Sequence, residues 1–597
     1  MTIPQMIRDR RNRWQGKRCM LVKQGGAYRD VLWDDFYREA ELTARGLMAR
    51  GLAPGDRVAI LSQTRYEWAV ADTATLSAAG VTVPIYPTLA APEVAELLRR
   101  SEARVLFASD REQVEKCLPL LDREGGIELL IVFELSALAG ASHPRALTLQ
   151  ALQAEADRTD QGVLEERLAL PKDDATATII FTSGTTGEPK GVELTHRNIL
   201  SDVELSLAEF DLGPSDVCLS HLPLAHILER MAGYYLMLWC GVTIAYAEGI
   251  QQVAQNLGEV RPTVAVSVPR IFEKIHAGIQ AKAVEAPPLT RRITFWALDV
   301  AARVGALEAA GRSLAPWLAL QYRVADHLVY SKVRARFGGR LRFFISGGAP
   351  LAPELAMFFN AVGIRIYEGY GLTETSPVTN VNTPRYHRVG TVGRFLRGVT
   401  GKIAEDGEIL VKGPNVFSAY YQNPDATREA FTDGGFFKTG DIGEIDADGY
   451  LRITDRKKDL IITAGGKNVA PQKVENILKM DKYIAEAMLY GDKKKFMTAL
   501  IVPDFEWLRR YAQWKSLPHS NPEQLVEHPQ VLDFYTRRLE EIQAAAHLSS
   551  YESVKKFVLL GQEFSAGQGE VTPTMKVRRK IITEHYKDRL DALYEED

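Results

Sequence analysis

Four clusters of small, hydroxyl-bearing and charged residues punctuate the chain, each at the end of an apolar run. The first is Ser183-Gly184-Thr185-Thr186-Gly187 with Lys190, which follows Thr178-Ile179-Ile180-Phe181. β-Branched and aromatic residues make that run a buried strand, and the hydroxyl and glycine residues after it cannot continue it. Glycines bring backbone N–H groups close to an anion, Thr182, Ser183, Thr185 and Thr186 add hydroxyls, and Lys190 adds a point charge. Together these are the parts of a polyphosphate cradle. Alone, such a loop is more often an ordinary turn, and G-x-x-x-x-G-K-[ST] does not fit Gly184 to Gly191.

The second cluster, Ser346-Gly347-Gly348-Ala349-Pro350, follows an expected strand at 341–345, and its bare backbone would let a flat ring lie against it. The third, Tyr367-Glu368-Gly369-Tyr370-Gly371-Leu372-Thr373-Glu374, stands at the exit of another strand. Tyr370 can stack a base, Thr373 can bond a phosphate oxygen, and Glu374 can hold the Mg²⁺ that phosphates require. In the fourth, Thr439-Gly440-Asp441, the carboxylate suits a pair of ribose hydroxyls.

Elements to position these groups are legible. Phe36, Ala40, Ala44 and Leu47 keep helical spacing up to Gly51, Pro54-Gly55-Asp56 turns the chain, and 58–61 reads as a strand. The alternation continues through a helix at 68–79, strands at 81–86, 105–108 and 129–133, and a helix entered at Pro92. That pattern predicts an α/β fold with a doubly wound sheet. A chain of 597 residues exceeds one core. A net charge of −3 offers no global field for nucleic acid, and Cys19, Cys117, Cys218 and Cys240 lack disulfide or C-x-x-C spacing. They read as buried thiols. The apolar run 231–247 is too short to span a bilayer and reads as a buried helix and strand. Trp296, Leu298, Trp317, Leu318 and Leu320, in a helical stretch from about 289 to 337, are most simply core residues, with an acyl-channel wall as the sharper alternative.

In order, these clusters resemble the phosphate, nucleotide and ribose motifs of the adenylate-forming enzymes, the acyl-CoA synthetase and luciferase superfamily. The resemblance continues to the end of the chain. Ile453-Thr454-Asp455-Arg456-Lys457-Lys458 is similar to the hinge motif, with Lys458 at the pivot. Gly465-Gly466-Lys467 is similar to the loop that borders the CoA tunnel. Val571-Thr572-Pro573-Thr574-Met575-Lys576 is similar to the segment that carries the adenylation lysine in long-chain fatty acyl-CoA synthetases, as Leu222-Pro223-Leu224-Ala225-His226-Ile227 is to their carboxylate motif.

The resemblance implies a large N-terminal domain with stacked sheets, residues 1–456, and a small mobile α+β domain, residues 457–597. It implies that Lys576, Glu374, Thr186 and Lys190 are catalytic, with Glu374 on Mg²⁺. Thr182 to Gly187, Lys190, Gly347 to Ala349, Glu368 to Gly371, Thr373, Asp441, Ile453 and Arg456 would bind ATP or AMP. His226, Glu229, Val268, Gly347 and Leu372 would line the acyl pocket. The activity implied is conversion of a long-chain fatty acid to acyl-AMP and pyrophosphate, then to a thioester with CoA, with ATP and CoA as co-substrates. Two alternatives stay open: a ligase that loads a carrier-protein phosphopantetheine, which supplying free CoA alone would distinguish, and a nucleotide-responsive binding protein without turnover, which acid-dependent pyrophosphate release would exclude. No nucleic acid or obligate protein partner is expected. The basic N-terminus (Arg8, Arg10, Arg11, Arg13, Lys17, Arg18) is not followed by the apolar stretch of a secretory signal, so a cytoplasmic location is expected, with peripheral contact at the inner face of a membrane left open.

Overall fold

The computed structural model describes all residues except 123–125, 139–142, 184–187, 518–520, 566, 573–575 and 596–597. Among the described residues two large sheets organise the first three quarters of the chain. An eight-stranded sheet runs, edge to edge, Ala419–Tyr420, Pro189–Thr195, Thr176–Ser183, Val81–Ile85, Arg57–Leu61, Ala103–Ala108, Leu129–Val132 and Ala146–Thr148. Its middle strands pair in parallel, because the helices Tyr66–Ser77 and Ala91–Ser101 carry the chain back between them. Strands covered on both faces are buried along their length, as Val58 to Leu61 and Val81 to Ile85 are. The helix Trp33–Ala49 buries Phe36, Ala40, Ala44 and Leu47, and Gly51 turns the chain at φ +86°.

A nine-stranded sheet holds Phe343–Ser346 and Arg365–Gly371 side by side at its centre. The second of these runs through Tyr370 to Gly371 rather than releasing the chain before it. It continues because Tyr370 pairs with Asn380 of the antiparallel strand Val378–Val381. A four-stranded antiparallel sheet, Thr400–Ile403, Glu408–Lys412, Phe437–Ile445 and Leu451–Arg456, completes this part. Residues 446–449 form a hairpin turn, with Asp446 Oδ1 accepting the backbone N–H groups of Asp448 and Tyr450 at 2.9 Å.

The remaining chain packs a three-stranded sheet, Ile484–Tyr490, Met497–Pro503 and Val554–Leu559, against helices that include Pro471–Lys479. Its apolar clusters draw on residues from Ile461 onward, whereas the last member of the main core is Leu451. The two cores therefore part between those residues.

Residues 231–247 are buried as a helix and a strand, but the helix opens as a π-helix, Glu229–Tyr235, before Leu236–Cys240. All four cysteines are buried, and burial pushes their thiols up. Of the basic N-terminal residues, Arg8 meets Glu165 at 2.6 Å, Arg11 meets Asp34 at 2.8 Å, and Arg10 lies over the Trp239 ring. One expectation is corrected. In the helical stretch, Trp296, Leu298 and Leu318 pack on the second core, but Trp317 and Leu320 are 68% and 52% exposed. Trp296 and Leu298 lie on the helix Pro288–Ala309 and Trp317, Leu318 and Leu320 on Pro316–Ala325, and helical spacing alone does not say which face of each meets the core.

Candidate active site

The first cluster lies on a hairpin. Thr176–Ser183 pairs antiparallel with Pro189–Thr195, setting Thr182 opposite Lys190 and Ser183 opposite Pro189. Gly184, Thr185, Thr186 and Gly187 lie outside the described residues. Lys190 thus belongs to a strand, not to the loop. Its Nζ stands 5.1 Å from the centre of the Tyr420 ring, and the Tyr420 phenol donates to Glu374 Oε1 at 2.9 Å. Phe417 N–H pins the Glu374 carbonyl at 2.8 Å. Tyr420 therefore ties Lys190 to Glu374, a role unassigned from sequence because a tyrosine in the Tyr420-Tyr421 pair has no spacing to mark it. Behind the hairpin, the helix His196–Leu207 is capped by Thr195, whose Oγ1 accepts Asn198 N–H at 3.0 Å.

Across the second sheet, the strand ends present the other clusters together. The Tyr370 phenol donates to Asp441 Oδ2 at 2.7 Å, and Arg456 Nε approaches Asp441 Oδ1 at 3.3 Å. Asp441 and Arg456 are register partners on neighbouring strands, as are Gly443 and Ile453. Each Asp441 oxygen retains a lone pair for a further donor. Gly347 and Gly348 lie against Leu228: a Cβ at Gly347 would stand 3.2 Å from Leu228 Cδ2, and one at Gly348 would stand 3.8 Å from Val268 Cγ1. Ala349 follows, exposed. Gly369 passes the strand Val378–Val381 closely, and at Gly371 a Cβ would sit 1.6 Å from the Pro377 carbonyl oxygen, so only glycine fits there. Thr373 and Glu374 then turn in a 3₁₀ helix, preceded by the half-buried Leu372. Glu368 is buried, accepts the backbone N–H groups of Leu351 and Gly390, and is pushed up to about 8 by burial.

His226 Nδ1 accepts Leu228 N–H at 3.1 Å, which assigns the ring proton to Nε2. Burial, and then the Lys576 charge, lower it to about 4, so the ring is neutral near pH 7 and presents an N–H donor. Glu229 is fully buried: Ser220 Oγ donates to its Oε1 at 2.6 Å, its Oε2 has no hydrogen-bond partner among the described residues, and burial raises it to about 8. It sits behind the Leu222 to Leu228 segment rather than on a free surface. Next to it Arg230, also fully buried, pairs with Asp72 and donates to Thr178 Oγ1 at 2.7 Å and Tyr235 OH at 3.0 Å. This network holds the π-helix to the strand that leads into the hairpin. It was missed because its members, Asp72, Thr178 and Arg230, are far apart in the chain.

The second unit contributes Lys576. Its backbone is held by reciprocal contacts with Thr572, N–H to Oγ1 at 3.0 Å and carbonyl to N–H at 2.8 Å. Burial, then the Arg456 charge, lower its ammonium to about 8, against the opposing pull of Asp441 and Glu374. Lys576, Arg456, Asp441, Glu374 and His226 thus act on one another electrostatically although they come from distant segments. Gly465, Gly466 and Lys467 do not join them. They form an exposed turn in which Thr463 N–H reaches the Lys467 carbonyl at 3.0 Å. Between the two units, Lys457 Nζ holds Asp406 and Glu408 at 2.6 and 2.8 Å, and Lys458 follows it.

The arrangement gathers two cations, two carboxylates and a neutral imidazole around bare glycine backbone, a surface suited to an anion-rich nucleotide and a carboxylate. Among the described residues no three His, Cys, Asp or Glu side chains gather as a metal cage. Mg²⁺ characteristically takes one or two carboxylates and completes its shell with phosphates and water. Glu374, with one oxygen held by Tyr420, fits that part.

Comparison with known proteins agrees with this geometry. The AMP-binding enzyme model matches residues 7–421, and the AMP-binding enzyme C-terminal domain model matches 458–597. The chain is similar to the long-chain-fatty-acid–CoA ligase FadD15 of Mycobacterium tuberculosis, 39% identical over 96% of this chain and 93% of that protein. It is also similar to the peroxisomal long chain acyl-CoA synthetase 6 of Arabidopsis thaliana, 32% identical over 96% and 83%. In fold it is similar to the adenylation domain of a Mycobacterium chelonae carboxylate reductase, with a TM-score of 0.79 and 24% identity over 100% and 91% of the two chains. The corresponding domain from Segniliparus rugosus gives 0.78 and 21% over 100% and 94%. Both the sequence models and the shared architecture of a large α/β domain with a small C-terminal domain lead to one conclusion: the chain belongs to the AMP-binding enzyme family.

Proposed function

We propose that this protein is a long-chain fatty acid–CoA ligase that forms AMP. The observation that supports the reading most is the meeting of Lys576 with Arg456, Asp441, Glu374 and His226, taken with relatives that are named as ligases of this type along nearly their whole length. A carboxylate is a poor acyl donor, so its oxygen attacks the α-phosphorus of ATP, the bond to pyrophosphate breaks, and a mixed anhydride remains. The chain's task is to align the partners and stabilise negative charge. Lys576 and the hairpin carrying Lys190 supply positive charge, Asp441 takes the ribose hydroxyls, and Tyr370, held by its phenol, offers its ring to adenine. His226, Val268, Gly347 and Leu372 line the acyl side, with the Nε2–H of His226 as a donor. Glu374 would hold Mg²⁺, which neutralises charge on the phosphates.

In the second step the CoA sulfur attacks the acyl carbon and the bond to AMP breaks. For this we assign a rotation of residues 457–597 about Lys458 that withdraws Lys576 and brings in Gly465 to Lys467, which are solvent-exposed in the orientation described above. A cytoplasmic site of action belongs to the same reading; no described helix is long and apolar enough to cross a membrane. Assay of saturated acids of increasing length with ATP, Mg²⁺ and CoA tests the proposal. Each buried CH₂ contributes about 0.8 kcal/mol, so kcat/KM should climb from acetate to palmitate. A higher value for acetate or benzoate would refute the chain-length assignment, and absence of acyl-CoA with free CoA would favour a carrier protein as acceptor.

A further inference from the structure

Seventeen large apolar side chains are exposed among the described residues, and six of them fall between residues 287 and 336. They are Leu289, Phe295, Trp317, Leu320, Val324 and Leu328. Elsewhere such residues are scattered, as on any protein surface. Here they share an antiparallel helical hairpin. The helix Pro288–Ala309 is followed by Pro316–Ala325 and a π-turn, Asp326–Tyr330. Arg303 reaches Gln321 at 3.3 Å and Tyr330 OH donates to the Ala297 carbonyl at 2.6 Å, which sets the register of the two arms. The inner faces are committed to the core: Ala297, Val300, Ala301 and Val304 are buried with Phe358 and Phe359. Gly305 passes so close to the helix Pro353–Ala361 that a Cβ would stand 2.6 Å from the Met357 carbonyl oxygen. The outer face of the second arm repeats Trp317, Leu320, Val324 and Leu328 at helical spacing, an apolar stripe left exposed among the described residues.

Charge says what covers it. The segment 287–336 holds eight arginines and lysines and three acids, a net +5, in a chain whose total is −3. Its three acids are each met by an arginine, Asp299 by Arg303 at 3.0 Å, Asp326 by Arg334 at 2.6 Å and Glu308 by Arg365 at 3.7 Å. Arg291, Arg292, Arg323, Lys332 and Arg336 are exposed. An exposed tryptophan on an apolar stripe bordered by basic side chains is the composition of a helix that lies in a membrane interface. A symmetric contact with a second copy would instead press two +5 faces together.

We propose that the hairpin 288–330 docks the enzyme on an anionic lipid bilayer, its Trp317, Leu320 and Val324 entering the headgroup boundary and its arginines meeting lipid phosphates. The inference concerns the surface and stands independently of the ligase reading, since binding is measured without turnover. The full-length protein would be sedimented with vesicles of phosphatidylglycerol and phosphatidylcholine, and with vesicles of phosphatidylcholine alone. The wild type should bind the anionic vesicles and release them at about 0.5 M salt, where the Debye length is a few Å. Trp317→Ser with Leu320→Ser should weaken binding about tenfold or more, and Arg291→Gln with Arg292→Gln and Arg323→Gln should remove the preference for anionic lipid. All five residues are exposed, so the melting temperature should not change. The proposal is overturned if the wild type ignores anionic vesicles or binds both kinds equally. It is also overturned if the variants bind as the wild type does, or if sedimentation velocity shows a wild-type dimer that Trp317→Ser with Leu320→Ser dissolves.

Discussion

Lys576 should impose an alkaline limb on the first half-reaction and not on the second. Its ammonium is held at about 8, against an ordinary 10.5, by burial and by the Arg456 charge. That gap corresponds to at most about 3.4 kcal/mol between the two protonation states. Because the pKa is depressed, the cost of the charged form is fully present below about 8, and the orientation described here gains stability as pH rises from about 8 toward 10.5. Adenylation needs the charged form, so it should decline over the same window. ATP–pyrophosphate exchange would be followed from pH 6.5 to 10. The kcat/KM for ATP, which reports free enzyme, should fall about tenfold per pH unit above about 8. The kcat limb should lie higher, because a bound triphosphate replaces the hydration that the lysine has lost. Conversion of supplied acyl-adenylate and CoA should lack this limb, and Lys576→Ala should abolish exchange while sparing that conversion. If the exchange limb were absent below pH 9.5, or if both half-reactions shared it, the placement of Lys576 at the phosphates would be wrong.

Glu374→Gln keeps an oxygen for the Tyr420 phenol but removes the charge, so acid-dependent pyrophosphate release should fall by two orders of magnitude or so with an unchanged melting curve; unchanged release would remove Glu374 from the site. Gly371→Ala would drive a Cβ into the Pro377 carbonyl and should cost more than about 4 kcal/mol, visible in urea unfolding; a loss below about 1 kcal/mol would contradict the close approach. The helix Pro269–Glu285 meets the small domain through Arg510–Glu285 at 2.6 Å and Arg270–Glu486 at 3.9 Å. Such exposed pairs are worth about 0.2–1 kcal/mol each, so Glu285→Ala with Arg270→Ala should slow adenylation by about twofold to at most about thirtyfold and leave or raise the thioester rate, and equal slowing of both would argue that these pairs do not favour the orientation described here. Lys458→Pro, which fixes φ near about −65°, should retain much of the exchange and lose thioester formation; proportionate loss of both would count against the hinge.

The strands and the order of the motifs were legible because each is a local matter. Thr178 to Phe181 are a buried strand by residue type, Thr195 caps a helix through its own neighbours, and Asp446 to Gly449 turn a hairpin without help from elsewhere. The identities of Tyr370, Glu374, Asp441 and Lys576 likewise stand in short patterns, so family membership could be read without coordinates. Partnerships across the sheets could not. Tyr420 reaches Glu374 only because an edge strand joins the hairpin, and Arg230 finds Asp72 only because a helix packs over the strand at Thr178. The continuation of the strand through Tyr370 depended on a partner, Asn380, that lies beyond a turn. Burial was decided last. Trp296 and Trp317 stand on successive helices of one helical stretch, yet one packs on the core and the other faces solvent, since an amphipathic period shows that a helix has two faces but only packing determines which apolar residues exceed the core's capacity.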